Sequence, residues 1–219
     1  AFGGVAVGAD RARLPAQSRG MEHERIYDAL LDQARRVYQS HPATSGFAPF
    51  PQDVARQLVE PFHCDCADIF RQETELVSDK YPALQAAIHA AGPIAQWRET
   101  YKETEIGDDF MRRFGCYCII GEGGPFWSET LWAWMVYMPT GLYYPWHNHP
   151  AEEMYLVVSG SAVFRREGCA DEVLGAGDTW MHTSNQRHAM ETTDKPVLCL
   201  VFWRNGFEIA PVLSNADCS

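Results

Sequence analysis

His147 and His149 stand one residue apart, and Glu153 follows a few residues later. Two imidazoles and a carboxylate brought to one point bind a divalent metal. In an extended strand, residues two apart face the same way, so the two histidines share a face. A turn over Pro150-Ala151-Glu152 would reverse the chain and set Glu153 and Tyr155 on one face of the returning strand. A second stretch, Gly177 to His188, offers His188 as a fourth ligand. Three imidazoles and one carboxylate leave open positions on a six-coordinate ion, a donor set that suits Fe, Mn, Zn, Ni or Co without choosing among them.

A metal with open positions binds a substrate carboxylate and acidifies the carbon beside it. Tyr155, two positions beyond Glu153, is placed to take that proton. A free tyrosine has a pKa of about 10 and is a poor base. A nearby dication would lower that pKa. The plainer alternative is a tyrosine that merely fills the interior. Tyr143, Tyr144 and Trp146 precede the ligands and would line the mouth of the site, with Trp180 and Trp203 on its wall. Aromatic faces beside a metal suit a small cationic substrate, although core packing is the simpler reading of each tryptophan alone. His182 contacts substrate, supports a ligand from behind, or is a loop histidine with no role.

The elements that must position these residues divide the chain at about residue 105. In the first part, Ile26, Leu30, Ala34 and Val37 recur at helical spacing over Met21–Ser40, and His41-Pro42 ends the pattern. Breaker spacing predicts further helices from Pro51 to about Glu60, from Asp65 or Cys66 to Ser78, from Tyr81 to Ala91, and from Ile94 to Thr104. Residues 1–20, rich in Gly and Ala, read as a loosely held arm. After Gly107, Phe110–Ile120, Thr130–Met138, Met154–Val158, Ala162–Arg166, His188–Thr192 and Val197–Trp203 are rich in β-branched and aromatic residues between turn residues. That pattern predicts an antiparallel sandwich or barrel over residues 106–219, with the helical region 1–105 packed on it. In Leu131–Tyr137 both alternating faces are apolar, so this strand should be covered by the barrel interior on one side and by helices on the other.

The chain has 219 residues, 46% of them hydrophobic, enough for a substantial core. A net charge of −11 disfavours nucleic acid and anionic membrane surfaces as partners. No apolar run approaches the ~18 residues of a membrane span, and no charged-then-apolar signal segment is read at the start. The odd count of seven cysteines leaves at least one outside any intrachain disulfide. Cys64-Asp-Cys66 and Cys116-Tyr-Cys118 are C-x-C pairs, not the C-x-x-C pairs of structural zinc sites, and buried thiols acting as small hydrophobes explain them most simply. The expectation is a reduced, cytoplasmic protein.

The spacing Gly-x5-His-x-His-x3-Glu-x6-Gly, from Gly141 to Gly160, resembles the first signature of the cupin superfamily in full. Gly177-Asp178 through His188 resembles the second, without its proline. The resemblance implies a cupin β-barrel, a double-stranded β-helix of jelly-roll type. The run from Tyr144 to Tyr155, behind a long helical N-terminal half, is similar to the cupin dimethylsulfoniopropionate (DMSP) lyases of marine bacteria, the DddL/DddQ/DddW group. That similarity implies metal ligands at His147, His149, Glu153 and His188, a base at Tyr155 and a substrate contact at Tyr144. It also implies β-elimination of DMSP to dimethyl sulfide and acrylate. Pairing through barrel strands, common in cupins, gives a homodimer by analogy. The same ligand set would also serve a metal-dependent dioxygenase acting on a small carboxylate, or a cupin that binds without turnover.

Overall fold

The computed structural model describes residues 16–102 and 104–214. The expected arm falls mostly outside them, at residues 1–15, while residues 16–20 already belong to a helix. That helix, α1 (Ala16–Ser40), buries Tyr27, Leu30, Leu31, Ala34, Val37 and Tyr38 along one stripe. At its end the Nδ1 of His41 accepts the Ala43 amide proton, and Pro42 opens α2 (Pro42–Phe47). The other ring nitrogen of His41 lies 3.0 Å from the Gly177 carbonyl, tying this corner to the barrel.

Two expected helices do not form. Between Pro51 and Glu60 the only regular element is a short strand, β1 (Ala55–Arg56). The Gln57 amide explains it: its side chain donates to the carbonyls of Gly121 and Gly124 at 2.6 and 2.7 Å, and its backbone N–H to Pro125. The segment also lacks an apolar stripe, since Leu58 is 90% exposed. Over Ile94–Thr104, a 3₁₀ turn at Gly92–Ile94 gives way to extended chain, in which Trp97 bridges Tyr117 and the Arg98 amide donates to Cys116. In both segments hydrogen bonds to the edge of a sheet replace those a helix would have made.

The remaining helices are α3 (Asp65–Gln72), α4 (Pro82–Ala91) and α5 (Asp108–Arg113). α3 stops short of the expected Ser78, whose hydroxyl instead donates to the Val158 carbonyl at 2.6 Å. α5 occupies the start of the stretch read as a strand from Phe110, and its Asp108, Asp109, Arg112 and Arg113 sit at the ends its dipole favours.

The rest is β structure. β2 (Gly115–Ile120), β3 (Phe126–Trp127), β4 (Trp132–Met138), β5 (Tyr143–Asn148) and β6 (Glu152–Arg166) come first. β7 (Glu172–Gly175), β8 (Thr179–His182), β9 (His188–Glu191), β10 (Val197–Arg204) and β11 (Val212–Leu213) follow. β3, β7, β8 and β11, each two to four residues long, were not among the expected strands. β5 includes His147, read as extended, and its pairing with β9 shifts register across Pro145.

β6 joins two sheets. Its first half pairs with β10 and β8, in the sheet that runs on through β4, β2, β3 and β1. Its second half pairs with β7 and β9, and β9 leads on to β5 and β11. The stretches Met154–Val158 and Ala162–Arg166, read as two strands, are therefore one strand that changes sheets near Gly160. This two-sheet closure is the cupin jelly roll. The two faces of β4 divide as the alternation implies. Ala133, Met135 and Tyr137 join one core with α1, α3 and α4, while Trp132, Trp134 and Val136 point into the barrel. Among the described residues, no helix is long and apolar enough to cross a membrane.

Gly160 is the hinge of this strand. Its φ is +73°, and a Cβ there would collide with the Pro196 carbonyl oxygen, so both conformation and space demand glycine. Gly160→Ala is expected to cost about 3 kcal/mol or more, seen as a lower thermal midpoint; an unchanged midpoint would show that β6 can pass between the sheets without this bend.

Candidate metal centre and cavity

Glu153 lies on β6 with a partner in register on each side, His182 on β8 and Trp203 on β10. Both reach its carboxylate. The indole N–H of Trp203 donates to Oε1 at 2.7 Å, and Nδ1 of His182 lies 2.8 Å from Oε2. Glu153 is only 2% exposed. Burial alone would push its carboxyl up, but the neighbouring His149 and His188, with the hydrogen bond from His182, outweigh that and hold it well below the usual range.

The histidines are set by their own backbones. Nδ1 of His147 faces the Pro145 carbonyl at 2.8 Å, that of His149 faces Ala151 at 3.0 Å, and that of His188 faces Gln186 at 2.8 Å. A carbonyl oxygen only accepts, so each Nδ1 carries the proton and each Nε2 keeps its lone pair. His147 and His182 are held neutral, both first by burial and then by His188; for His182 the pKa falls to about 3.

Nε2 of His188 stands 3.1 Å and Nε2 of His149 3.5 Å from Oε2 of Glu153. Both nitrogens are buried and have no hydrogen-bond partner. Unpaired lone pairs this close to a carboxylate oxygen fit a shared cation, whose adjacent ligands at 2.0–2.2 Å lie about 3 Å apart. One ligand atom from each of His149, Glu153 and His188 lies within 4.8 Å of the others. This buried group could bind a metal. His147 adjoins this three-residue group: its ring centroid is 4.0 Å from that of His188 and 6.4 Å from that of His149. His182 sits behind the group, stacked on His188 at 3.8 Å, with its own Nε2 buried and unpaired.

A cavity of about 290 Å³ opens beside this group, and His147, His149, Glu153 and Tyr155 line it. Burial, then the charge of Glu153, push the Tyr155 phenol well above its ordinary pKa. Tyr144 also lines the cavity; its ring stacks on His147 at 4.0 Å and its hydroxyl pairs with that of Tyr101 at 2.7 Å. Tyr143, Trp146, Trp180 and His182 do not line it. Tyr143 is 43% exposed, with the Arg165 guanidinium over its ring. Trp180 is buried in the barrel interior beneath Arg166. Trp146 follows the irregularity at Pro145, and its carbonyl accepts from Ser214.

The wall is completed by Trp132, Trp134, Trp203 and Phe207. Of these, sequence reading placed only Trp203 at the site. It also missed Tyr101, which lay in an expected helix with no pattern linking it to Tyr144. The pairing of Trp203 with Glu153 could be read only from strand register.

The chain has relatives in both sequence and fold. Residues 52–199 match the family described as DMSP lyase, dimethylsulfoniopropionate lyase. Dimethylsulfoniopropionate lyase DddQ of Ruegeria pomeroyi is 45% identical over 191 residues, 87% of this chain and 95% of that protein. The crystal structure of DddQ from Ruegeria pomeroyi superimposes with a TM-score of 0.86 at 43% identity, covering 90% of this chain and 100% of that one. A chain solved in work on the DMSP lyases RdDddP and RnDddQII gives a TM-score of 0.84 at 34% identity, covering 88% of this chain and 100% of its own. The family match spans residues 52–199 and the DddQ likeness 87% of the chain, and the chain belongs to the DMSP lyase family.

Proposed function

We propose that this chain cleaves dimethylsulfoniopropionate to dimethyl sulfide and acrylate, with Tyr155 removing the proton from C2. The observation that carries the reading is that Tyr155, Glu153 and His149 open onto one small aromatic cavity in a member of this family. His149, Glu153 and His188 would hold a divalent transition metal ion of the Fe, Mn, Co, Ni or Zn group, with His147 as a fourth ligand. When bound, that ion supplies Lewis acidity, drawing electron density from the substrate carboxylate so that C2–H becomes more acidic.

Tyr155 is disfavoured as a phenolate by burial and by Glu153. It becomes a usable base only where positive charge offsets both. Its place two residues beyond Glu153 on β6 puts it on the same cavity wall. Tyr144 is fixed by Tyr101 on one side and His147 on the other, so its hydroxyl can orient the substrate without a search among rotamers.

The sulfonium end of the substrate is a cation with no hydrogen to donate. Trp132, Trp134 and Trp203 offer it aromatic faces in place of water. As the proton moves to Tyr155, the C2=C3 bond forms and the C3–S bond breaks. Dimethyl sulfide leaves with that electron pair as a neutral molecule. Because the leaving group departs neutral, no general acid is needed.

Metal-loaded protein incubated with DMSP should release dimethyl sulfide into the headspace; silence there would sink the assignment. In Tyr155→Phe, activity per bound metal should fall about 100-fold or more, the scale of a lost general base, and an undiminished rate would show that another group takes the proton. Ligand variants separate the imidazoles. His149→Ala and His188→Ala should each lower metal affinity at least tenfold in a competition assay with a chromogenic chelator. If His147→Ala binds metal as tightly as the parent chain, His147 serves the substrate side and not the ion.

A further inference from the structure

Away from the cavity, a second chemical arrangement lies at the start of α3. Cys64 is the residue before the first turn of that helix and Cys66 lies within the turn. Their sulfurs are 2.7 Å apart. Cys64 is half-buried and in extended backbone, with φ −132° and ψ 170°, whereas Cys66 is fully buried. We propose that Cys64 and Cys66 form a redox-active dithiol, in which Cys64 is the nucleophile and Cys66 the resolving thiol, and that a small hydroperoxide converts them reversibly to an intrachain disulfide.

Geometry carries the assignment. Two thiols in direct contact need only side-chain rotation to reach bonding distance, about 2.05 Å. Cys64 lies at the N-cap, outside the helical turns that hold Cys66. A soft-metal site is the other use of paired thiols, but among the described residues this pair belongs to no cluster of three ligating groups. The two cysteines also differ as such a couple requires. The Cys64 thiol is held down to about 7, first by its hydrogen bond with Cys66, against partial burial. The same contact and deeper burial push Cys66 up. A thiolate near neutral pH beside a protonated partner divides the roles of attack and resolution.

The steps balance. The Cys64 thiolate attacks one peroxide oxygen, the O–O bond breaks, and the alkoxide released takes a proton to become an alcohol. Cys64 is left as a sulfenic acid. The Cys66 thiol then attacks that sulfur, the S–S bond forms, and the sulfenic oxygen leaves as water. Two thiols lose two electrons in all, and the peroxide gains them.

The tryptic peptide Gln57–Arg71 carries both cysteines and no other, so it reports the pair alone. The full chain, reduced and then exposed to stoichiometric hydrogen peroxide, should be denatured, alkylated and digested. The peptide is expected to resist alkylation, to weigh two hydrogens less than the dithiol, and to become doubly alkylated after dithiothreitol. In Cys66→Ser, dimedone should trap a sulfenic acid at Cys64; in Cys64→Ser, Cys66 should remain a thiol. A doubly alkylated peptide after peroxide, or oxidation confined to the exposed Cys169, overturns the proposal. A missing dimedone adduct in Cys66→Ser overturns the assignment of Cys64 as nucleophile.

Discussion

A carboxylate buried at the centre of a barrel is the constraint on which this structure depends. Removing an ion such as Glu153 from water costs several kcal/mol unless every lone pair finds a donor or a cation. Here the donors come from the two neighbouring strands, His182 from β8 and Trp203 from β10. A one-residue slip of either strand would turn its donor to the opposite face. The site thus requires β6 to be paired correctly along both edges. The bend at Gly160 then carries the second half of the strand over to β9, whose first residue is His188.

Local and global geometry divide the work at the imidazoles. Each ring is oriented by a carbonyl only two residues away, at Pro145, Ala151 or Gln186, so tautomer and direction are settled within a short loop. Where the rings meet is settled by the sheets. His149 and His188 bring their unpaired nitrogens to Glu153, and the His147 ring lies against both Tyr144 and His188. His147 is the second-last residue of β5 and His149 lies just past its end.

The helical half does more than cover the barrel. It packs on one face of β4, whose other face presents Trp132 and Trp134 to the cavity. A close-packed layer on one side therefore backs the wall on the other. Tyr101, from the turn that follows the Trp97 segment, reaches across to Tyr144 and adds a polar contact that the barrel alone would lack. Family membership extends over this half too, since the solved DddQ chain is covered in full.

Much of the scaffold is written in short-range patterns. The helical stripe of α1, the end of α4 at Gly92-Pro93 and the two apolar faces of β4 follow from periodicities of a few residues. The spacing from His149 to Glu153 and on to His188 likewise belongs to the sequence, and the structure brings these three together. Other features had no local signature. Residues 51–60 and 94–104 carry helix-compatible composition, yet sheet edges far along the chain claim their hydrogen bonds. Gly160 looks like a turn and is instead a bend within one strand, because β10 and β9 supply pairing on either side of it. His182 and Trp203 became partners of Glu153, and Tyr101 of Tyr144, through contacts between residues 29 to 50 positions apart. Periodicity and spacing act over one turn or one strand, so sequence alone determined them. Cross-strand register and the desolvation of a buried charge exist only once distant segments pack, so tertiary structure alone decided how the site is held.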